Sequence, residues 1–572
     1  MTIDCDVAII GGGPGGSTVG SLLKKYNPSL KIHIFEREVF PRDHVGESQL
    51  PVISKVLEEM EVWDKVEAAG FPIKIGATYR WGRTADLWDF EFLPDGKLNL
   101  EPRPAKYVGQ RRRTAFQVDR AVYDKILLDH AAEWGCHVHE NVAVRRVISS
   151  NDRVDGLELA DETVVQARYY LDCSGASGFL RRSLGVDVQY PSALHNIAIW
   201  DYWQNAEWAV SVGIGGTRIQ VLSLPYGWIW FIPLGPQRTS IGLVIPASYY
   251  KEHGKRPEEL YLEAVRSDPV VSRLLQQAAR EGKLSTTKDW SFVADRLSGE
   301  NWFLVGDTAG FADPILSAGL SLTHFGARHV AYSILALDRS DYQSDWIREH
   351  YGETQQTQIR QHIRFAEYWY TANGVFSDLK EHAKTIATEA GLDLSSEQAW
   401  QWLGQGGFIN RSSSTDLALY GLLLSKEIVA SFSGDEPFFE ITGKTHFRTN
   451  LDDAVKGWTA DLKNGRITRY RSYTRQDRTL PMIGLMGWMA RRLLSEHDIH
   501  QLAQAAYDYQ ATEIGSGGSF VDLWTEFIKT LEALVSDGWV VARTQQDADP
   551  MPPPRGDFSK ILHPNRDRAE LG

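Results

Sequence analysis

The sequence predicts an α/β protein: a Rossmann-like domain carrying an antiparallel β-sheet module, followed by a helical C-terminal region. Three observations predict it. A short apolar strand at residues 6–10 runs directly into Gly11-Gly12-Gly13-Pro14-Gly15-Gly16 and then a helix-like stretch. An aromatic run, Gly227-Trp228-Ile229-Trp230-Phe231-Ile232-Pro233, has the alternation of a strand. From about Ala331 onward the apolar spacing turns helical. At 572 residues the chain exceeds one ordinary core. It divides into 1–340 (the Rossmann-like and sheet module), 341–545 (mainly helical) and an extended tail, 546–572.

The N-terminal element reads strand, GxGxxG, helix (residues 17–25), strand (31–35), then the acid Glu36, at the spacing of a dinucleotide-binding unit. Gly11 permits the tight turn, Gly13 lets backbone approach a pyrophosphate, and Gly16 allows helix–strand packing. The helix N-terminus offers N–H groups and partial positive charge to phosphates. Glu36 is placed to accept hydrogen bonds from a ribose.

In the aromatic strand, Trp228, Trp230 and Ile232 share one face, and Gly227, Ile229 and Phe231 the other. Taken alone this is a rigid aromatic layer of core. Nineteen tryptophans point to aromatic-lined cavities beyond core needs.

Apolar content of 43% and charged content of 24% are ordinary for a globular protein. A net charge of −13 argues against nucleic acid and against anionic membranes as partners. Cys5, Cys136 and Cys173 are far apart, so neither a disulfide framework nor a metal cluster is expected, and a reducing cytoplasm fits. The start lacks the pattern of a secretory leader, and no apolar run reaches the ~18 residues of a membrane span.

Several segments resemble flavin-dependent halogenases. Phe40-Pro41-Arg42-Asp43-His44-Val45-Gly46-Glu47-Ser48 resembles the region after the acid, which places Arg42 among the cofactor contacts. Phe116-Gln117-Val118-Asp119-Arg120 opens a helix, as where Gln117 would touch the flavin. Tyr170-Leu171-Asp172-Cys173-Ser174-Gly175-Ala176-Ser177-Gly178 looks like a second elbow beside the cofactor. Leu304-Val305-Gly306-Asp307-Thr308-Ala309-Gly310 matches an element whose aspartate, Asp307, contacts the ribityl chain. Residues 227–233 fit the family's GWxWxIP signature. Lys74, in Ile73-Lys74-Ile75-Gly76, matches the family's lysine, and Asp313-Pro314-Ile315-Leu316-Ser317-Ala318-Gly319 resembles its DPxxSxG-type loop.

The resemblance implies a Rossmann-like FAD domain of the glutathione-reductase/p-hydroxybenzoate-hydroxylase type and FAD, used as FADH2, with no metal. A separate flavin reductase would supply the reduced flavin. Chloride or bromide would be held by the amides of Ala318 and Gly319, Trp228 and Trp230 would screen the flavin from organic substrate, and Lys74 would deliver or polarise hypohalous acid. Asp313 is either a helix cap or a cofactor contact, and in some carrier-type relatives this aspartate is suspected of bonding the flavin covalently. Halogenases of free tryptophan carry glutamate immediately before the loop serine; here Leu316 stands there. That departure favours phenolic, pyrrolic or carrier-tethered substrates.

Residues 350–376 read as a long helix with aromatics on one side. Residues 410–415 read as a loop before another helix from Leu417, and residues 519–534 as an amphipathic helix. That last helix, the Asp537-Gly538 turn and the strand after it resemble the end of a winged-helix unit. Arg111-Arg112-Arg113 is a solvated loop, a phosphate contact or a docking point for an acidic carrier protein. Two rival activities share this fold. A monooxygenase would carry Asp-Gly where this chain has Ser174-Gly175, and a geranylgeranyl-reductase-like enzyme would need a long apolar tunnel and no halide.

Overall fold

The computed structural model describes residues 2–81, 87–92, 98, 114–191, 194–213, 215–288, 290–371, 439–475, 478–509, 520–546, 548–551 and 562–564. Arg111, Arg112 and Arg113, the loop at 410–415, the helix from Leu417 and most of the 546–572 tail lie outside them. Two compact units form, one built on the chain to Glu367 and one on most of the chain from Tyr368 onward.

In the first unit the strand Thr2–Ile10 lies at the centre of a seven-stranded sheet. Parallel to it run Ile32–Phe35 and His137–His139 on one side, and Val164–Asp172 and Trp302–Leu304 on the other. Val7, Ala8, Ile9 and Ile10 are all buried, the continuous apolar run that a strand covered on both faces requires. An antiparallel meander, Val144–Ser150 and Arg153–Leu159, joins the first part of Val164–Asp172. The helix Pro14–Tyr26 starts at the glycine turn with proline in its first position, where a missing N–H costs nothing.

A second sheet carries the aromatic strand. Its central order is Asn196–Gln204, Arg238–Pro246, Gly227–Pro233, Gly216–Leu224, Ile73–Arg80 and Leu87–Glu91. One face packs Leu222, Ile229, Phe231 and Leu243 against Leu260, Tyr261, Ala264 and Val265 of the helix Pro257–Ser267. The opposite face holds Trp228, Trp230 and Trp200, as the alternation expects.

The first unit extends past the expected boundary at 340. The helix Ser344–Thr371 belongs to it as far as Glu367: Tyr351 Oη donates to the Leu304 carbonyl, and Gln356 to those of Ala294 and Asp295. A helical pattern reveals an apolar face, but not which core that face covers.

The described part of the second unit adds two three-stranded sheets to the helices expected there. Its core gathers Phe447, Met486, Met489, Leu502, Phe527, Leu531 and Trp539. The helix Phe520–Ser536, Gly538 at φ +72° and the strand Val540–Arg543 come in the expected order.

Candidate active site

The glycine turn is shaped by close backbone approach. Gly11 has φ +104°, and a Cβ there would lie 2.3 Å from the Cys173 carbonyl oxygen. On Gly16 it would lie 2.1 Å from the Gly11 oxygen, so neither position admits a side chain. A Cβ on Gly13 would meet only Arg42 Nη2, at 3.5 Å, so the turn is open there and faces a guanidinium. Arg42 also pairs with Asp124 at 3.4 Å. Glu36 is buried at the end of its strand and accepts from the Gly12 N–H at 2.8 Å and the Glu38 N–H at 3.0 Å. A backbone turn open beside an arginine, with a fixed carboxylate at the next strand end, fits a dinucleotide pyrophosphate and ribose.

Further along, Gln117 is fully buried, and among the described residues neither end of its amide has a hydrogen-bond partner; the nearby Ser48 hydroxyl also lacks one. Ser48 and Gln117 face each other across an antiparallel bridge. A buried amide left unpaired at both ends is costly, so these groups call for a polar ligand, and a flavin ring edge has the matching carbonyl and N–H groups. The Arg120 guanidinium forks onto Asp124 at 2.7 and 2.9 Å. Asp307 is partly accessible by area yet closely surrounded by protein, and burial pushes its carboxyl up to about 6, against the pull of Arg120. The chemistry of these groups is compatible with FAD.

Lys74 is 1% exposed, in the strand Ile73–Arg80. Burial pushes its amine down to about 7, and no charged group among the described residues offsets this. Its Nζ lies 5.5 Å from the centre of the Phe92 ring. An irregularity decides which way it faces. Thr217 pairs with Lys74 but Arg218 with Gly76, so Ile75 is an extra residue, a β-bulge. Beyond it Ala77 pairs with Ile219 and Tyr79 with Val221, and Val221 in turn pairs with Trp230. Strict alternation would group Lys74 with Thr78, on the face of Phe231 and the helix Pro257–Ser267. The bulge moves it to the face of Ala77, Tyr79, Trp228 and Trp230.

Four indoles line that face in a row. Ring centres lie 6.4 Å apart for Trp81 and Trp228, 6.0 Å for Trp228 and Trp230, and 6.4 Å for Trp230 and Trp200. Trp81 and Trp200 had no sequence signal beyond residue type. The Trp230 Nε1–H donates to Ser240 Oγ at 3.1 Å, which fixes the ring.

Asp313 caps the turn after it, accepting from the Ile315 N–H at 2.9 Å, and its other oxygen lies 3.4 Å from Trp290 Nε1. Ser317 then adopts φ +57°. The helix Gly319–Arg339 begins immediately after Ala318. Among the described residues, neither the Ala318 nor the Gly319 N–H meets an acceptor. Two free amides at the start of a 21-residue helix suit a small anion. His324, one turn on, ties this helix to two others: its Nδ1 bonds Thr18 Oγ1 at 2.9 Å and its Nε2 bonds Tyr123 Oη at 2.8 Å. Among the described residues no cluster of His, Cys, Asp or Glu could hold a metal ion, and no helix is long and apolar enough to cross a membrane.

A Rossmann-like glycine turn, a row of tryptophans with a buried lysine on its face, and a helix start with free amides together point to a flavoenzyme of the halogenating kind. Comparisons agree. The tryptophan halogenase family model matches residues 6–100 and 93–384. Tryptophan 2-halogenase of Chondromyces crocatus is 32% identical over 339 residues, 58% of this chain and 61% of its own length. The 1H-pyrrole-2-carbonyl-(peptidyl-carrier protein) chlorinase of Pseudomonas fluorescens is 30% identical over 385 residues, 65% of this chain and 85% of its own. The myxobacterial chondrochloren halogenase CndH superposes with a TM-score of 0.59 at 25% identity, over 73% of this chain and 97% of that one. The flavin-dependent halogenase CmlS shares the fold over 98% of this chain and 99% of its own, at TM-score 0.71 and 23% identity. This chain belongs to the tryptophan halogenase family, the flavin-dependent halogenases.

Proposed function

We propose that the chain halogenates an electron-rich carbon, phenolic, pyrrolic or tethered to a carrier protein, using O2 and chloride or bromide. Gly11, Gly13, Gly16, Glu36, Arg42, Gln117 and Asp307 would hold FAD. When bound, reduced FAD supplies the two electrons by which O2 converts a halide ion into hypohalous acid. A separate flavin reductase would renew it, and the three separated cysteines favour a reducing, cytoplasmic setting.

The chain's own residues divide the remaining work. The free amides of Ala318 and Gly319 hold the halide without a charged side chain. Trp228 and Trp230 keep organic substrate off the cofactor side. Lys74 receives hypohalous acid on the tryptophan face, where an amine near its midpoint can donate a hydrogen bond or act as the free base.

One observation carries the reading: the bulge that turns Lys74, a buried amine with no charged partner among the described residues, onto the face of Trp228 and Trp230. The pyrrole substrate named for the Pseudomonas relative supports an electron-rich substrate, and so does Leu316 in place of glutamate. The test supplies FAD, a flavin reductase, NADH, O2 and chloride or bromide with a phenolic or pyrrolic probe. Lys74→Ala should oxidise reduced flavin normally yet halogenate the probe at least ~100-fold more slowly, the size of one positioned proton-transfer group. Equal halogenation by wild type and variant would remove Lys74 from the mechanism.

A further inference from the structure

Arg181 is a buried cation that the proposed function leaves unused. It lies in the short helix Phe179–Ser183, after the strand Val164–Asp172, and is 8% exposed. Among the described residues its guanidinium donates no hydrogen bond and forms no ion pair, and its buried Nε meets no acceptor. Asp172 attracts it, yet both Asp172 oxygens are taken. Oδ1 accepts from the Ser174 N–H and hydroxyl, and Oδ2 from the N–H groups of Leu180 and Arg181. A guanidinium held out of water is costly unless an anion answers it.

The side chain is held in place. Gly178, at φ +49°, gives it room: a Cβ there would lie 2.8 Å from Arg181 Nη2 and 2.9 Å from its Nε. The guanidinium carbon stands 5.0 Å from the centre of the Phe292 ring. Burial, with the Arg182 charge adding to it, disfavours the charged guanidinium, and Asp172 and Tyr190 oppose that shift.

Phe292 is the middle of three rings laid across a small sheet of Val188–Gln189, Phe292–Ala294 and Gly310–Phe311. Tyr190, just past the first of these strands, is 60% exposed, and its ring centre lies 6.4 Å from that of Phe292. Phe292 pairs directly with Phe311, so their side chains share one face. Phe311 in turn reaches the start of the long helix: a Cβ on Gly319 would lie 2.7 Å from Phe311 Cε2. The row runs from an exposed tyrosine to the glycine whose N–H is free for an anion, and Arg181 stands over its middle ring.

We propose that Arg181 is an outer halide site, which gathers chloride or bromide and passes it toward the amides of Ala318 and Gly319. The inference rests on the halogenase reading above. The guanidinium offers several N–H donors to one small anion, and its fixed charge raises the halide concentration beside the row. The step moves an ion: no bond is made or broken and no electron is transferred.

The test reads binding and turnover separately, in the full FAD-loaded chain. Crystals soaked in bromide should give an anomalous difference peak within hydrogen-bond distance of the Arg181 guanidinium, and Arg181→Gln should lose it. In steady-state assays Arg181→Gln should raise the halide KM at least ~10-fold, the worth of one charge-assisted hydrogen bond. The maximal rate should return at high halide, with FAD affinity unchanged. Arg181→Lys keeps the charge and should recover most of the loss. Absence of the peak in wild type overturns the proposal. A peak joined to an unchanged halide KM in Arg181→Gln marks an adventitious ion only and overturns it as well. Lost FAD affinity with halide KM unchanged overturns it in favour of a cofactor phosphate contact. Wild type that holds bromide at Arg181 yet halogenates no probe overturns the halogenase reading, and with it the passage to Ala318 and Gly319. That failure is recognisable because the bromide peak is read without turnover.

Discussion

The indole of Trp230 lies across Gly242, and a Cβ at Gly242 would sit 2.1 Å from Trp230 Cζ2. Gly242 pairs with both Trp230 and Trp200, so its bare backbone is the seat on which the centre of the tryptophan row rests. Overpacking a seated ring costs about 1–3 kcal/mol. Gly242→Ala should lower the unfolding free energy by that amount in urea titrations and shift the tryptophan emission. In the halogenation assay it should let substrate reach the flavin and increase unproductive turnover.

Gly11→Ala should abolish FAD retention with little change elsewhere in the fold. Its φ of +104° and the Cys173 oxygen 2.3 Å from a new Cβ leave no relaxed solution. A more than ~10-fold loss of FAD affinity, about 1.4 kcal/mol, is expected by fluorescence titration.

Lys74 makes a prediction about stability and pH. Its folded value, about 7, lies below the ~10.4 of an unfolded lysine, so the unfolded chain binds more protons between the two. Stability should therefore rise as pH climbs from about 7 toward 10. Lys74→Met should be more stable than wild type near neutral pH, by about 2–4 kcal/mol, and the advantage should shrink toward alkaline pH. Urea midpoints across that range provide the measurement, and a constant gap would contradict it.

His324→Leu should cost about 1–3 kcal/mol, because it strands the buried Tyr123 hydroxyl and Thr18 Oγ1. Burial, with the Arg120 charge adding to it, pushes the His324 imidazole down to about 3. Unfolding then takes up a proton between about pH 3 and 6.5, so wild type loses stability as pH falls through that window. The variant should show a shallower acid slope.

The parts of this site legible in the sequence are those with local rules. Gly11, Gly13 and Gly16 answer to backbone clashes within one turn, and Trp228 and Trp230 to the two-residue period of a strand. Glu36 reads from the sequence as a ribose acceptor, and its bond to the Gly12 N–H adds a second task, holding the glycine turn itself. The buried hydrogen bond from the Tyr202 hydroxyl to the Glu47 carboxyl carries no such local sign, because its partners lie 155 positions apart. The boundary at 340 failed for a similar reason, since the buried Tyr351 finds its acceptor at Leu304. Trp81 and Trp200 join the row only through strand pairings that no single segment encodes.

Deleting Ile75 should restore regular pairing with Gly216–Leu224 and keep Lys74 opposite Thr217, two positions from Ala77 and on the tryptophan face. FAD binding and labelling of Lys74 by an amine reagent should then match wild type, and a lysine moved to the helix-covered layer would contradict the bulge.

That single surplus residue separates position along the chain from position in space. Counted residue by residue, Lys74 keeps step with Thr78 and the helix-covered layer; counted across the strand pairings, it keeps step with Ala77 and the tryptophans. Strict alternation applied to this strand therefore assigns the amine to the wrong compartment, and the spacing between a lysine and its neighbours matters as much as the residue itself.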